Sequence, residues 1–113
     1  RIVSTADAKP EGSWKTVLTT SLDEYFTRRF DISRSGRVLI KLHIEGAELQ
    51  ALLGAENLIR SLGPDIFVNL SHDEDSLLEI PLYLKDKLNY KLMLIGHSLF
   101  GEGLTLVAIK NAD

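Results

Sequence analysis

The run Val38-Leu39-Ile40-Lys41-Leu42-His43-Ile44, closed by Glu45-Gly46, constrains the fold more than any other part of the sequence. It is nearly all apolar, which is how a strand buried on both faces reads. Ala51, Leu52, Ala55, Leu58, Ile59 and Leu62 then recur at helical period, predicting a helix from Ala47 to Leu62. Glu56 and Arg60 stand four apart on it, in the order that favours an ion pair. Gly63-Pro64 stops the helix, and Asp65 to Leu70 is the next strand. Strand, long helix, strand predicts a right-handed crossover between parallel neighbours.

The rest of the chain extends this unit. Arg1 to Ser13 is rich in small and breaker residues and reads as a loop, and Thr16 to Thr20 as a short strand. Ser21-Leu22-Asp23-Glu24 has the capping-box pattern, opening a helix that runs to Phe30. After Leu70 come a polar loop, His72-Asp73-Glu74-Asp75, and a helical pattern from Leu77 to Leu88 that Pro81 should kink in its first turns. Tyr90–Ile95 and Leu104–Ile109 are strands whose glycine-punctuated connection is too short for a helical crossover, so they pair antiparallel. The expectation is a three-layer α/β domain, its sheet mostly parallel with one antiparallel strand. Residues 1–20 form a loop and short strand, and 21–113 the α/β portion.

Composition narrows the function classes. A chain of 113 residues holds one domain at most, and a net charge of −3 with no basic stripe argues against nucleic acid. Without cysteine there is no disulfide framework and no thiolate zinc site, which fits a cytoplasmic protein. No apolar run reaches the roughly 20 residues that cross a bilayer, so no membrane partner is expected. The chain opens at Arg1 without a methionine, which suggests a processed chain or an excised piece of a longer parent protein.

Leu39-Ile40-Lys41-Leu42-His43-Ile44-Glu45-Gly46-Ala47-Glu48, followed by Leu53-Gly54-Ala55, resembles the signature of the FkbM family of S-adenosylmethionine-dependent methyltransferases. In that family a strand reads about L-[IL]-K-[IL]-D-[VI]-E-G-A-E and leads into a helix with L-x-G-A. Ser21-Leu22-Asp23 is similar to the T-L-D segment preceding the signature, Gly63-Pro64-Asp65-Ile66 to the entry into the next strand, and Asn89-Tyr90-Lys91 to a G-Y-K/R segment. Two positions depart from the pattern: His43 stands for Asp, and Asn69 for a common Glu. The resemblance implies the carboxyl-terminal half of a Rossmann-like class I methyltransferase fold. It implies the strand order 38–44, 65–70, 104–109, 90–95, with the last strand in sequence inserted antiparallel. The implied cofactor of the parent protein is S-adenosylmethionine, and the implied reaction is methyl transfer to a hydroxyl acceptor. The glycine-rich loop and acidic residue that grip the donor have no counterpart here, so this piece alone is expected to be inactive.

Strand alternation puts Lys41, His43 and Glu45 on one face and Ile40, Leu42 and Ile44 on the other. In open α/β sheets ligands bind beyond the carboxyl ends of the strands. His43 and Glu45 lie at such an end, Asn69 and His72 at the next, and His97 beyond a third. His43 and Glu45 are therefore the candidate catalytic residues, orienting the acceptor hydroxyl or taking its proton, with Asn69, His72 and Lys41 as candidate substrate-binding residues. Each has a structural alternative. His43 could be a buried imidazole bonded to backbone, and Lys41 a strand cation paired with Asp23 or a helix carboxylate. Glu48, in the first helical turn, answers to the helix dipole, and Gly46 to a tight turn. His43, Glu45, His72 and Asp73 would be the ligands of a metal site, although no H-x-H or H-x-x-x-H spacing supports one. A degenerate, non-catalytic interaction module is the rival to the enzyme. The missing first strand would leave Val38–Ile44 as an open edge, predicting a homodimer unless Val17–Thr20 caps it.

Overall fold

The computed structural model describes residues 2–3, 15–29, 36–70, 74–96 and 103–111. Two short strands, β1 (Ile2–Val3) and β2 (Val17–Leu18), pair antiparallel in a small sheet of their own. Helix α1 (Leu22–Arg29) follows, then β3 (Leu39–Leu42), α2 (Glu48–Leu53), α3 (Glu56–Leu62), β4 (Asp65–Asn69) and α4 (Glu74–Leu82). A π-helical turn (Tyr83–Lys87), β5 (Tyr90–Gly96) and β6 (Leu104–Lys110) complete the chain. The main sheet has the order β3-β4-β6-β5. β3 and β4 are parallel, and β6 is antiparallel to both β4 and β5. This is the expected strand order in a mixed α/β domain, with the last strand inserted between its neighbours. The sheet is only partly parallel, however, since one of its three pairings is parallel.

The core lies on one face of the sheet. Leu42, Ile66, Val68, Leu106 and Ala108 pack there against Leu52, Ile59, Ile80 and Leu84 of the helices. The opposite face carries Leu39, Phe67, Met93 and Ile95, all exposed. Among the described residues the expected third layer is therefore missing. The β3 run, read as buried on both faces, is buried on one: Leu42 is buried while Leu39 is 60% exposed. The strand also ends two residues early, because Glu45 (φ 55) and Gly46 (φ 105) turn the backbone into the left-handed region. Glycine adopts that region freely, whereas the glutamate costs about 1 kcal/mol.

The predicted 47–62 helix is two helices. Gly54 and Ala55 interrupt it, with Ala55 N–H donating to Leu52 O at 3.0 Å. The reason is tertiary. Asp23, in the first turn of α1, accepts from the Asn57 and Leu58 amides at 3.0 and 2.8 Å, capping α3 where Ala55 supplies no side-chain cap. Asp23 N–H in turn donates to Gly54 O at 2.8 Å. A Cβ at Gly54 would sit 3.1 Å from Ser21 Cβ, so only glycine lets α1 come this close without a shift. Ser21 caps α1 as expected, accepting from Glu24 N–H at 3.1 Å, and the Glu56–Arg60 pair forms at 3.7 Å.

Helix α4 starts at Glu74, three residues before the expected start. Glu74 and Asp75, read as loop, occupy its first turn, where carboxylates complement the helix dipole. Pro81 consequently falls in the last turn, and the chain continues as a π-helical turn whose Leu88 N–H donates to Tyr83 O. Asn89 (φ 59) takes the left-handed conformation at the position where the resembling G-Y-K/R segment has glycine. The first residues, read entirely as loop, include β1; two paired residues are too short to leave a periodic signal.

Candidate functional site

Strands β3 and β4 run in parallel register, Lys41 opposite Phe67 and Leu42 opposite Val68. One step beyond the last pair, at the carboxyl ends, His43 and Asn69 meet: Asn69 Nδ2 lies 3.3 Å from His43 Nε2. The two residues that depart from the motif are thus partners. The register through β6 brings Thr105 beside Asn69, and Ile95 of β5 beside Thr105. Together with Lys41, Leu42, Phe67 and Val107 these residues line an open cleft of about 430 Å³ on the sheet face that carries no helix among the described residues.

The corner leading away from the cleft is held by Glu48. Its side chain is buried, and its carboxylate accepts from Ile44 N–H at 2.6 Å and Gly46 N–H at 2.9 Å. Dipole stabilisation explains a carboxylate in the first turn of α2, but not its burial. The two charge-assisted bonds do, because they satisfy amides that the turn removes from the sheet ladder. Glu48 thereby fixes the path of the backbone just after His43.

Three of the five candidate residues come together: Lys41, His43 and Asn69 all line the cleft. Glu45 is exposed on the turn and is not among the lining residues. His72 lies outside the described residues, as do Asp73 and His97. The structural alternatives are corrected in two places. His43 is exposed and not buried, and Lys41 does not pair with Asp23, whose two carboxylate oxygens are taken by α3 amides. The cost of a buried strand cation does not arise, because Lys41 is exposed. No group of three or more metal-ligating side chains converges among the described residues.

Thr105 and Phe67 belong to the cleft but have no motif of their own. Only the sheet register, once known, brings them there. Behind the sheet, two tyrosines tie the helical layer down. Tyr83 donates to Glu56 Oε1 at 2.9 Å, and burial, reinforced by that carboxylate, raises its hydroxyl well above the ordinary range. Tyr90 donates to Pro64 O at 2.7 Å; burial, then the charge of Asp65, pushes its hydroxyl up to about 12.

The family model described as the methyltransferase FkbM domain matches residues 4–92, well over half of the chain. No curated protein and no solved structure matches it. The matched region takes in the Ser21–Asp23 segment, the Glu45–Glu48 corner, Gly54 and both His43 and Asn69.

Proposed function

The chain belongs to the FkbM methyltransferase family, and from that premise we propose that it forms the acceptor side of an O-methyltransferase that uses S-adenosylmethionine. The observation that carries this reading is the His43–Asn69 pair, set beyond the carboxyl ends of two parallel strands in an open cleft.

The lining of that cleft does not fit the donor. Lys41 would repel a sulfonium, and no carboxylate lines the cleft to take a ribose diol or an α-ammonium. We therefore place the donor outside this cleft. What the cleft does fit is a hydroxyl-bearing acceptor. The Asn69 amide nitrogen can only donate, so His43 Nε2 accepts from it and the ring proton sits on Nδ1, which restricts the ring and suits it to orienting the acceptor hydroxyl rather than to taking its proton. Holding the acceptor oxygen in a fixed direction is the main contribution a protein makes to such a transfer. Thr105 and Lys41 add polar contacts on either side of the pair. Glu45, on the exposed turn beyond His43, is the candidate for taking the proton.

A non-catalytic interaction module is the second reading, favoured by an imidazole and an amide standing where the motif carries carboxylates. Turnover separates the two. In the native protein, His43→Ala should lower labelled methyl transfer about a hundredfold or more, with thermal unfolding unchanged. Unchanged turnover in that variant, or no transfer to any hydroxyl acceptor by the wild type, contradicts the enzyme reading.

A further inference from the structure

The cleft is polarised across the sheet. One row of paired residues runs Lys41, Phe67, Val107, Met93 from β3 to β5, and the next runs Asn69, Thr105, Ile95, with His43 beside Asn69. The β3 end of the cleft therefore presents an ammonium and an imidazole, and its β5 end two exposed apolar side chains, Met93 at 55% and Ile95 at 44%, with the exposed Lys91 one row further out on β5 and not among the lining residues.

The carboxylates near this surface are engaged elsewhere or set outside it. Asp65, at the far end of the same face, is held by Arg37 at 2.8 Å. Glu48 is turned into the backbone corner, and Glu45 does not line the cleft. Among the described residues Lys41 has no ion-pair partner. A cation without a counter-charge at one end, and exposed apolar surface at the other, is complementary to a ligand of the opposite sign and the same polarity.

We infer that the acceptor is an acidic amphiphile, with a carboxylate or phosphate monoester at Lys41 and an apolar body lying across Phe67 and Val107 toward Met93 and Ile95. This rests on the reading of the cleft as the acceptor site. Three strand spacings set the length of the body at about 14 Å. His43 lies two residues along the strand from Lys41, so the hydroxyl to be methylated sits about 7 Å from the acid group. The aromatic face of Phe67 and the β5 side chains supply the apolar contribution, and the charge selects among apolar ligands.

The probe is decanoate, an oxyanion on an apolar chain, titrated below its micelle-forming concentration into the isotopically labelled 113-residue chain. Decyltrimethylammonium serves as the cation of equal chain length. Decanoate should shift the amide resonances of Lys41, Phe67, Thr105 and Ile95 saturably, and the cation should not. Lys41→Met should weaken decanoate binding about fivefold, and Lys41→Arg should retain it. The spectra also report whether each variant is folded.

Equal binding of the cation, unchanged affinity in Lys41→Met, or no saturable shift of these amides by millimolar decanoate overturns the inference. So does sedimentation of the chain with phosphatidylglycerol vesicles while monomeric decanoate leaves the cleft unmoved, which would make the anion a membrane headgroup. No donor is present in this titration, so its failure leaves methyl transfer standing. Failure of methyl transfer, conversely, leaves decanoate binding to be judged by itself.

Discussion

Asp23 and Glu48 do similar work at two places in the chain: each is a carboxylate that accepts two backbone N–H bonds where a turn leaves amides without partners. A hydrogen bond to a charged group contributes about 1.5–3 kcal/mol, more than a neutral one. Asp23→Ala should therefore lower unfolding free energy by about 2–4 kcal/mol, read as a shifted urea midpoint at constant slope. The cleft amides of Phe67 and Thr105 should stay in place in that variant, since Asp23 touches α3 and not the sheet. The tyrosines give a second test. The raised hydroxyls of Tyr83 and Tyr90 mean that the folded state holds these protons more tightly than the unfolded chain does. Tyr90's contribution is fully present below about pH 10 and is lost as pH rises from there toward about 12, and Tyr83's declines from the same point but outlasts it. Urea midpoints should fall across that window, and fall less in Tyr90→Phe. An equal fall in the variant would show that the decline has another source. The roles of Asp23 and Glu48 were only half legible: the motif marked both positions, but the amides they bind become apparent only when α1 docks and the corner turns.

At the level of elements, sheet order and strand directions were readable from the sequence, because loop length forbids a crossover between β5 and β6 and the motif fixes the rest. The break between α2 and α3 was not. Apolar residues keep helical period straight through Leu53-Gly54-Ala55, and Ala55 is a strong helix former. What breaks the helix is the approach of Ser21 and Asp23, a long-range event that periodicity does not encode. This makes Gly54→Ala informative in its sign. On propensity alone, alanine would stabilise by about 1 kcal/mol. Contact with Ser21 at 3.1 Å, on a residue anchored by its own cap and its neighbour's bonds, should instead make the variant less stable by about 1–3 kcal/mol. Ser21→Gly in the same chain should recover part of the loss. A stabilised Gly54→Ala, by thermal unfolding, would mean that the α1 contact is looser than described. The exposed sheet face was also not foreseen, since an apolar strand reads the same whether one face or both are covered.

For the molecule as a whole, the feature of most consequence is the outer edge of β3, which pairs with no other strand among the described residues. β2 does not cap it, since it pairs with β1 in a separate sheet. Beside that edge, Leu22, Phe26, Val38, Leu39, Leu58 and Leu62 line an apolar groove of about 340 Å³. An uncovered edge next to apolar surface favours pairing with a second copy. Light scattering should find dimers at high micromolar concentration, and a monomer throughout would remove that expectation. The proposed arrangement is a division of labour, in which the cleft holds the acceptor and the groups that would grip the donor have no counterpart in the sequence. Calorimetric titration of the 113-residue chain with S-adenosylmethionine tests it most directly. The expected dissociation constant is no tighter than about millimolar, near −4 kcal/mol; a low-micromolar constant would place the donor site within these residues and contradict that arrangement.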